Sequence, residues 1–203
     1  MQKRRNVFIN CPFDRDYLQF FRATVFTVVR CGYNPRCALE VMDGGEPRIG
    51  KIQGIIEACR LGIHDISRTE LNPAGLPRFN MPLELGLFLG AKRYGSGAQK
   101  QKRCLVLDRE RYRYQQFLSD IAGQDVESHD ATIPVLIARV RDFLDNATNG
   151  VPLPAGPAIH ADYTEFEFRL PEICETLDLD SNDLPFRNYI WIVAEYLAAP
   201  GPR

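Results

Sequence analysis

The sequence predicts an α/β protein: a parallel sheet of about five strands flanked by helices in three layers, followed by a helical C-terminal appendage. Three observations predict it. Short apolar runs bounded by turn residues alternate with longer stretches of helical period. The 203 residues are 45% hydrophobic and 25% charged, enough apolar material for one sizeable core. Gly150–Pro157, rich in proline and glycine, divides this alternating part from a tail with helical periodicity alone. The expected organisation is an α/β domain over residues 1–149, then a linker and helical appendage over 150–203.

Asn6–Cys11 is a short apolar run stopped by Pro12, a first strand. Asp14 can cap the next helix, which runs to about Cys31 with Leu18, Phe21, Val25, Val28 and Val29 at helical spacing, and Gly32 ends it. Tyr33–Leu39, a weaker strand, contains Pro35. Asp43-Gly44-Gly45 is a turn, and Arg48–Arg60 is an amphipathic helix burying Ile49, Ile52, Ile55, Ile56 and Cys59. Gly62–Ser67 is the third strand, and Arg68–Phe79 a loop.

Phe79–Arg93 is the most unusual stretch. Pro82 suits the first turn of a helix and Asn80 its N-cap. Met81, Leu83, Leu85, Leu87, Phe88, Leu89 and Ala91 spread round nearly every side, the pattern of a buried helix. Gly86 and Gly90 share a face where another backbone is expected to come close. Gly95–Lys102 follows as a flexible basic linker and Arg103–Asp108 as a clear fourth strand. A charged, tyrosine-rich helix is expected over Arg109–Ala122, a short fifth strand over Gly123–Ser128 and a helix over Ala131–Leu144. In the tail, Asp162–Thr176 and Leu184–Ala198 are helical, with Pro171 expected to break or kink the first.

The formal net charge of -1 makes no electrostatic case for nucleic acid or an anionic membrane as partner. The basic start leads into a strand rather than a signal-peptide core, and no apolar stretch is long enough to span a bilayer. The six cysteines are scattered, form no C-x-x-C and suit small core positions, which points to a reduced, cytoplasmic protein. The three histidines, His64, His129 and His160, have no metal-ligand spacing, and His64 belongs to an apolar strand as a core residue.

Ligands of parallel sheets bind at the carboxyl ends of the strands. That rim collects Asn10–Asp14 after strand one, Leu39–Arg48 after strand two, Asp65–Arg68 after strand three, and the N-terminus of the helix that carries Glu84. Glu84, the first charge inside that apolar helix, must be paired, protonated or open to a cleft. A carboxylate there serves as nucleophile or general base, or it caps its own helix or pairs with Arg68 or Arg78. Asn10 and Arg48 are candidates for ribose or phosphate, and Arg48 starts a helix where the dipole disfavours a cation. Asp65 and Ser67 are either polar groups of a site or loop caps. The dinucleotide and P-loop fingerprints are absent. The run Arg109–Tyr114 mixes basic and aromatic residues, and a solvated helix face accounts for it better than a nucleic-acid surface.

Val7-Phe8-Ile9-Asn10 with Asp14, Gly45…Ile49…Ile52…Ile56…Cys59-Arg60, Ile63…Asp65-Ile66-Ser67-Arg68 and Glu84-Leu85 resemble, in order and spacing, the first half of a TIR domain. Pro82…Glu84-Leu85-Gly86…Gly90-Ala91-Lys92 is closer to the nucleoside 2-deoxyribosyltransferase-like branch. The resemblance spans Asn6–Asp108; Met81-Pro82 replaces the usual TIR tryptophan-cysteine, and the tail after Gly150 matches neither group. It implies a flavodoxin-like fold and cleavage of an N-glycosidic bond by Glu84 as the catalytic carboxylate. Asn10, Asp14, Arg48, Asp65, Ser67 and Asn80 would then lie around the substrate. The substrate would be NAD or a related nucleotide, consumed rather than used as a redox cofactor. It further implies a homo-oligomer and a role as a bacterial defence effector. A non-catalytic nucleotide sensor or self-assembly module is the alternative.

Overall fold

The computed structural model describes residues 5–40, 43–71, 75–148, 150 and 152–199. Its core is an all-parallel sheet of β1 (Asn6–Asn10), β2 (Asn34–Arg36), β3 (Leu61–Asp65), β4 (Arg103–Asp108) and β5 (Val126–Ser128), in the order β2-β1-β3-β4-β5. The helices are α1 (Leu18–Arg30), α2 (Arg48–Ala58), α3 (Asn80–Tyr94), α4 (Ile133–Asp145), α5 (Gly156–Thr176) and α6 (Phe186–Ala198). This is a flavodoxin-like three-layer α/β fold, and no described helix is long and apolar enough to cross a membrane.

Alternation along the strands sorts the core. Val7, Ile9, Leu61, Ile63, Leu105 and Leu107 face α1 and α4. Phe8 faces α2 and Phe88 of α3, while Val106 joins Met81 and Leu85. Pro35 lies in β2, an edge strand of only three residues, where its missing N–H costs no ladder bond on the open side. The buried side chains of α5 and α6, among them Phe166, Leu170, Tyr189 and Val193, belong to the same cluster as α1. Tyr163 donates to the Gln19 carbonyl, Arg30 pairs with Asp162 at 2.8 Å, and Tyr189 reaches both Glu167 and the Arg22 carbonyl. The two C-terminal helices therefore finish the core on the α1 side.

Several expectations are corrected. α5 runs unbroken through Pro171 and starts at Gly156, inside the expected linker. Gly156 lets it approach α4: a Cβ there would lie 3.3 Å from Ala138 Cα. Gly86 and Gly90 do not serve such an approach, because a Cβ on either meets open space. α3 buries one side only, with Leu83 56% and Phe79 68% exposed. Asn80 is the first helical residue, not the N-cap, since the Phe79 carbonyl already accepts from Leu83 N at 2.9 Å. Gly97–Gln101 is an ordered 3₁₀ turn, not a flexible linker. Lys102 is buried: its ammonium donates to the Ile56 and Cys59 carbonyls, capping the carboxyl end of α2, and stacks on Phe88. No α-helix forms between β4 and β5, only two 3₁₀ turns, Arg113–Gln116 and Ser119–Ile121.

Candidate active site

β1, β3, β4 and β5 end at one rim in Asn10, Asp65, Asp108 and Ser128, with His129 one residue further. α3 begins beside the same rim. The first strand ties it there: Asn10 Nδ2 donates to the Met81 carbonyl (2.8 Å) and contacts His64 Nδ1 (3.0 Å). Both amide protons of Asn10 are thus committed to the scaffold, leaving its carbonyl oxygen for a ligand. His64 is a core residue. Burial lowers its pKa to about 3, and it packs edge-on against Phe8 and Phe88.

Glu84 stands one turn into α3, 7% exposed. Among the described residues it has neither an ion pair nor a hydrogen bond to its carboxylate. Arg68 pairs instead with Asp14, Asp16 and Glu70, and Arg78 with Asp14. Burial raises the Glu84 pKa to about 7, and the Arg48 guanidinium beyond ion-pair distance pulls modestly the other way. The Cys11 and Cys37 thiols feel the Glu84 charge, so the carboxylate lies near the ends of β1 and β2, across from the first residue of α2. A carboxyl with this pKa exchanges a proton readily at neutral pH, and its ionised form stabilises a positive charge brought against it.

Asp65 sits at the same rim in the opposite situation. It leaves β3 on the α1 face, whereas Glu84 approaches from the α3 face. Asp65 Oδ1 accepts from Ser67 N (2.9 Å), Tyr17 Oη donates to Oδ2, and His129 Nε2 lies 3.2 Å from Oδ2. His129 Nδ1 accepts from Ala131 N (3.1 Å), so the proton sits on Nε2, facing Asp65 somewhat off the N–H axis. Burial alone would raise the Asp65 pKa, but the His129, Ser67 and Tyr17 donors overcome it and hold the carboxyl below the usual range. Asp65 is thus a tether between β3, the first turn after β1 and the loop after β5.

The other expected residues divide between the two settings. Arg48 faces the Glu84 side, exposed and without an ion pair among the described residues. Asp14 caps the 3₁₀ turn Arg15–Tyr17 through Tyr17 N (3.2 Å) and holds Arg78. Ser67 is buried beside Asp65 and its carbonyl accepts from Arg113 (2.8 Å). Asn80 is exposed at the start of α3 with no side-chain hydrogen bond among the described residues. The structure puts Arg48 on the Glu84 side, beyond ion-pair distance, and ties the first turn of α3 to Asn10 through the Met81 carbonyl; no contact joins Asp65 or Ser67 to Glu84 among the described residues. The loop residues Val41 and Met42, inside the expected Leu39–Arg48 rim segment, lie outside the described residues.

Sequence reasoning missed Tyr17, His129, Asp108 and Arg113. Arg113 is no part of a solvated helix face: its guanidinium grips Asp108 Oδ1 (2.6 Å) and the Ile66 and Ser67 carbonyls. Tyr114 beside it is buried. The signal for His129 and Asp108 was available, because Asp108 ends β4, His129 directly follows β5 and parallel strands end at one rim.

No protein-family model matches the chain, and no curated protein sequence matches it.

Proposed function

We propose that the chain cleaves an N-glycosidic bond in NAD or a related nucleotide, with the Glu84 carboxylate set against C1′ of the ribose. The observation that carries this reading is a buried carboxylate with no partner among the described residues, one turn into a helix at the ligand-binding rim of an α/β sheet. Burying such a group costs stability and has no packing rationale, which is the signature of a group kept for chemistry. The resemblance of Pro82…Glu84-Leu85-Gly86 to deoxyribosyltransferase-like enzymes, and of the first half to TIR domains, supports the same assignment.

In this reaction the ionised carboxylate stabilises the oxocarbenium-like transition state or attacks C1′, and water completes the hydrolysis. A pKa near 7 also lets the protonated form deliver a proton to a leaving base. Arg48 offers a cation to a phosphate, and the Asn10 carbonyl oxygen and Asn80 amide offer hydrogen bonds to the ribose or base. Asp14 borders the rim. Asp65 and Ser67 act as scaffold, holding the rim in shape. NAD is the substrate rather than a redox cofactor, and a cytoplasmic defence effector working as a homo-oligomer fits that chemistry.

Incubating the purified protein with NAD and measuring nicotinamide release tests the reading. Glu84→Gln is expected to reduce release by on the order of 10³-fold while the thermal midpoint stays at or above that of the wild type. Release unaffected by this substitution overturns the assignment. One observation favours the alternative of a nucleotide-sensing or self-assembling module: the outer side of α3 beside the rim exposes Phe79 and Leu83. Ligand-dependent oligomerisation without turnover, unchanged by Glu84→Gln, selects it.

A further inference from the structure

A second concave surface lies on the α3 face, away from Glu84. It exists because no full helix follows β4. The two 3₁₀ turns between β4 and β5 bring Tyr114, Leu118 and Ile121 over the carboxyl half of that face, against Ile66, Leu85 and Val106. The amino half beside the last turns of α3 is left open as a groove of about 790 Å³.

Its accessible floor is Leu89 of α3 and Cys104 of β4, both half-buried; Val106, which also borders it, is buried. Lys92 and Arg93 on α3 and Lys100 on the following 3₁₀ turn form one rim, and Asp125 lies on the other. Arg103 also borders the groove, but its guanidinium is drawn away to the Asn146 carbonyl at 2.8 Å. Lys92, Arg93 and Lys100 have no carboxylate partner among the described residues. The carboxyl end of α3 favours cations nearby, but its dipole amounts to only about half a charge. Three cations facing that half charge and one carboxylate leave the groove positive. Elsewhere Arg22, Arg30, Arg68, Arg109, Arg113 and Arg141 hold carboxylates.

We propose that this groove binds an organic phosphate with a flat apolar body, the body lying on Leu89 and Cys104 and the phosphate held by Lys92, Arg93 and Lys100. An apolar floor gives no reason to select inorganic phosphate, and an uncharged ligand leaves the cationic rim unused. Arginine matches a phosphate through paired N–H donors, and the two lysines add point charge. The site is separate from the rim that carries Glu84, and the inference does not depend on the function proposed for that rim.

Cys104 supplies the readout. It is half-buried on the groove floor, while the other five cysteines are buried. Alkylation by iodoacetamide, followed at Cys104 by peptide mass, is measured on the full chain with 1-naphthyl phosphate, 1-naphthol or inorganic phosphate. Naphthyl phosphate at about 1 mM, where an interaction of ~4 kcal/mol is half saturated, is expected to slow alkylation saturably. At the same concentration naphthol and inorganic phosphate are expected to slow it far less. Each rate is normalised to that of the same variant without ligand, because Lys92 also acts on the Cys104 thiol. K92Q/R93Q/K100Q is expected to weaken protection about tenfold, or ~1.4 kcal/mol. D125K, which removes the one opposing carboxylate, is expected to strengthen it. Protection by naphthol equal to that by naphthyl phosphate overturns the proposal, as does protection unchanged in the triple variant or weakened by D125K.

Discussion

Asp65 and Glu84 are both buried carboxylates at the same rim of one sheet, and their surroundings push them in opposite directions. Asp65 faces α1, meets three donors and is held ionised. Glu84 faces the other side, meets no donor among the described residues and is pushed up to about 7. The difference lies in what the chain supplies around each group, since burial acts on both alike. Where donors are provided, a buried charge becomes a clamp. Where they are withheld, it keeps an unspent capacity to interact, and a ligand is the natural recipient.

The largest expected effect on stability comes from breaking the clamp. Asp65→Ala removes the acceptor for Tyr17 and Ser67 N and leaves His129 buried without its partner. A loss of about 3 kcal/mol in chemical denaturation is expected. A change below ~1 kcal/mol sinks the contrast between the two carboxylates, because Asp65 would then be no better integrated than a surface group.

The pH dependence of stability sharpens the comparison. For Glu84 the folded pKa of about 7 lies above the ordinary 4.5. The folded state therefore binds this proton more tightly, and its contribution is most favourable below 4.5 and is lost as pH rises through about 7. With some solvent reaching the carboxylate, the loss amounts to roughly 2 kcal/mol. Glu84→Gln is expected to remove this slope and to be the more stable protein at pH 8. Asp65 works with the reverse sign. Its folded pKa lies below the ordinary 3.8, so its contribution is present above that value and is lost as pH falls through the folded pKa. Denaturation curves of wild type and Glu84→Gln between pH 4 and pH 8 decide the matter; parallel curves count against an unpaired Glu84.

Smaller effects test the packing behind each carboxylate. Tyr17→Phe deletes one donor to Asp65 and is expected to cost about 1 kcal/mol, read as a lower denaturation midpoint. On the Glu84 side, Gly86→Ala meets open space on a helix and is expected to stabilise by roughly 0.5–1 kcal/mol. Gly62→Ala is the reverse case, since its Cβ would fall 2.7 Å from His64 Nε2 and 2.9 Å from Phe88. A midpoint lowered by Gly86→Ala would mean that the outer side of α3 is covered in solution.

Much of the fold was legible because hydrophobic period and turn residues are local signals. β1, α2, β4 and α4 fall within a few residues of expectation. The misses have one physical cause, which is tertiary context. α3 is apolar all round, so periodicity does not say which side the sheet covers, and the spacing of Gly86 and Gly90 predicts a close approach on the side that the fold leaves open. Gly62 and Gly156 do admit close neighbours from other elements, Phe88 and Ala138, which are distant in sequence. Pro171 is tolerated in α5 despite its cost to a helix interior, with Phe166, Leu170 and Cys174 of the same helix all buried. At the rim, Glu84 stood out as a charge in an apolar helix. Asp65 stood out as well, but its role did not, because its donors come from Tyr17 and His129, on elements that only the folded sheet brings together.

The packing of α5 and α6 against α1 has a consequence in time. α1 ends at Arg30, and its outer apolar side waits for residues as far along as Val193. At ribosomal speeds of ~15 residues per second, on the order of ten seconds separate the emergence of the two. During that interval the sheet can assemble, but Phe26 and its neighbours have no permanent cover. Tyr163 and Phe166 close over Phe26 only when α5 docks, so the arrival of the C-terminal helices is the step that seals this side of the core.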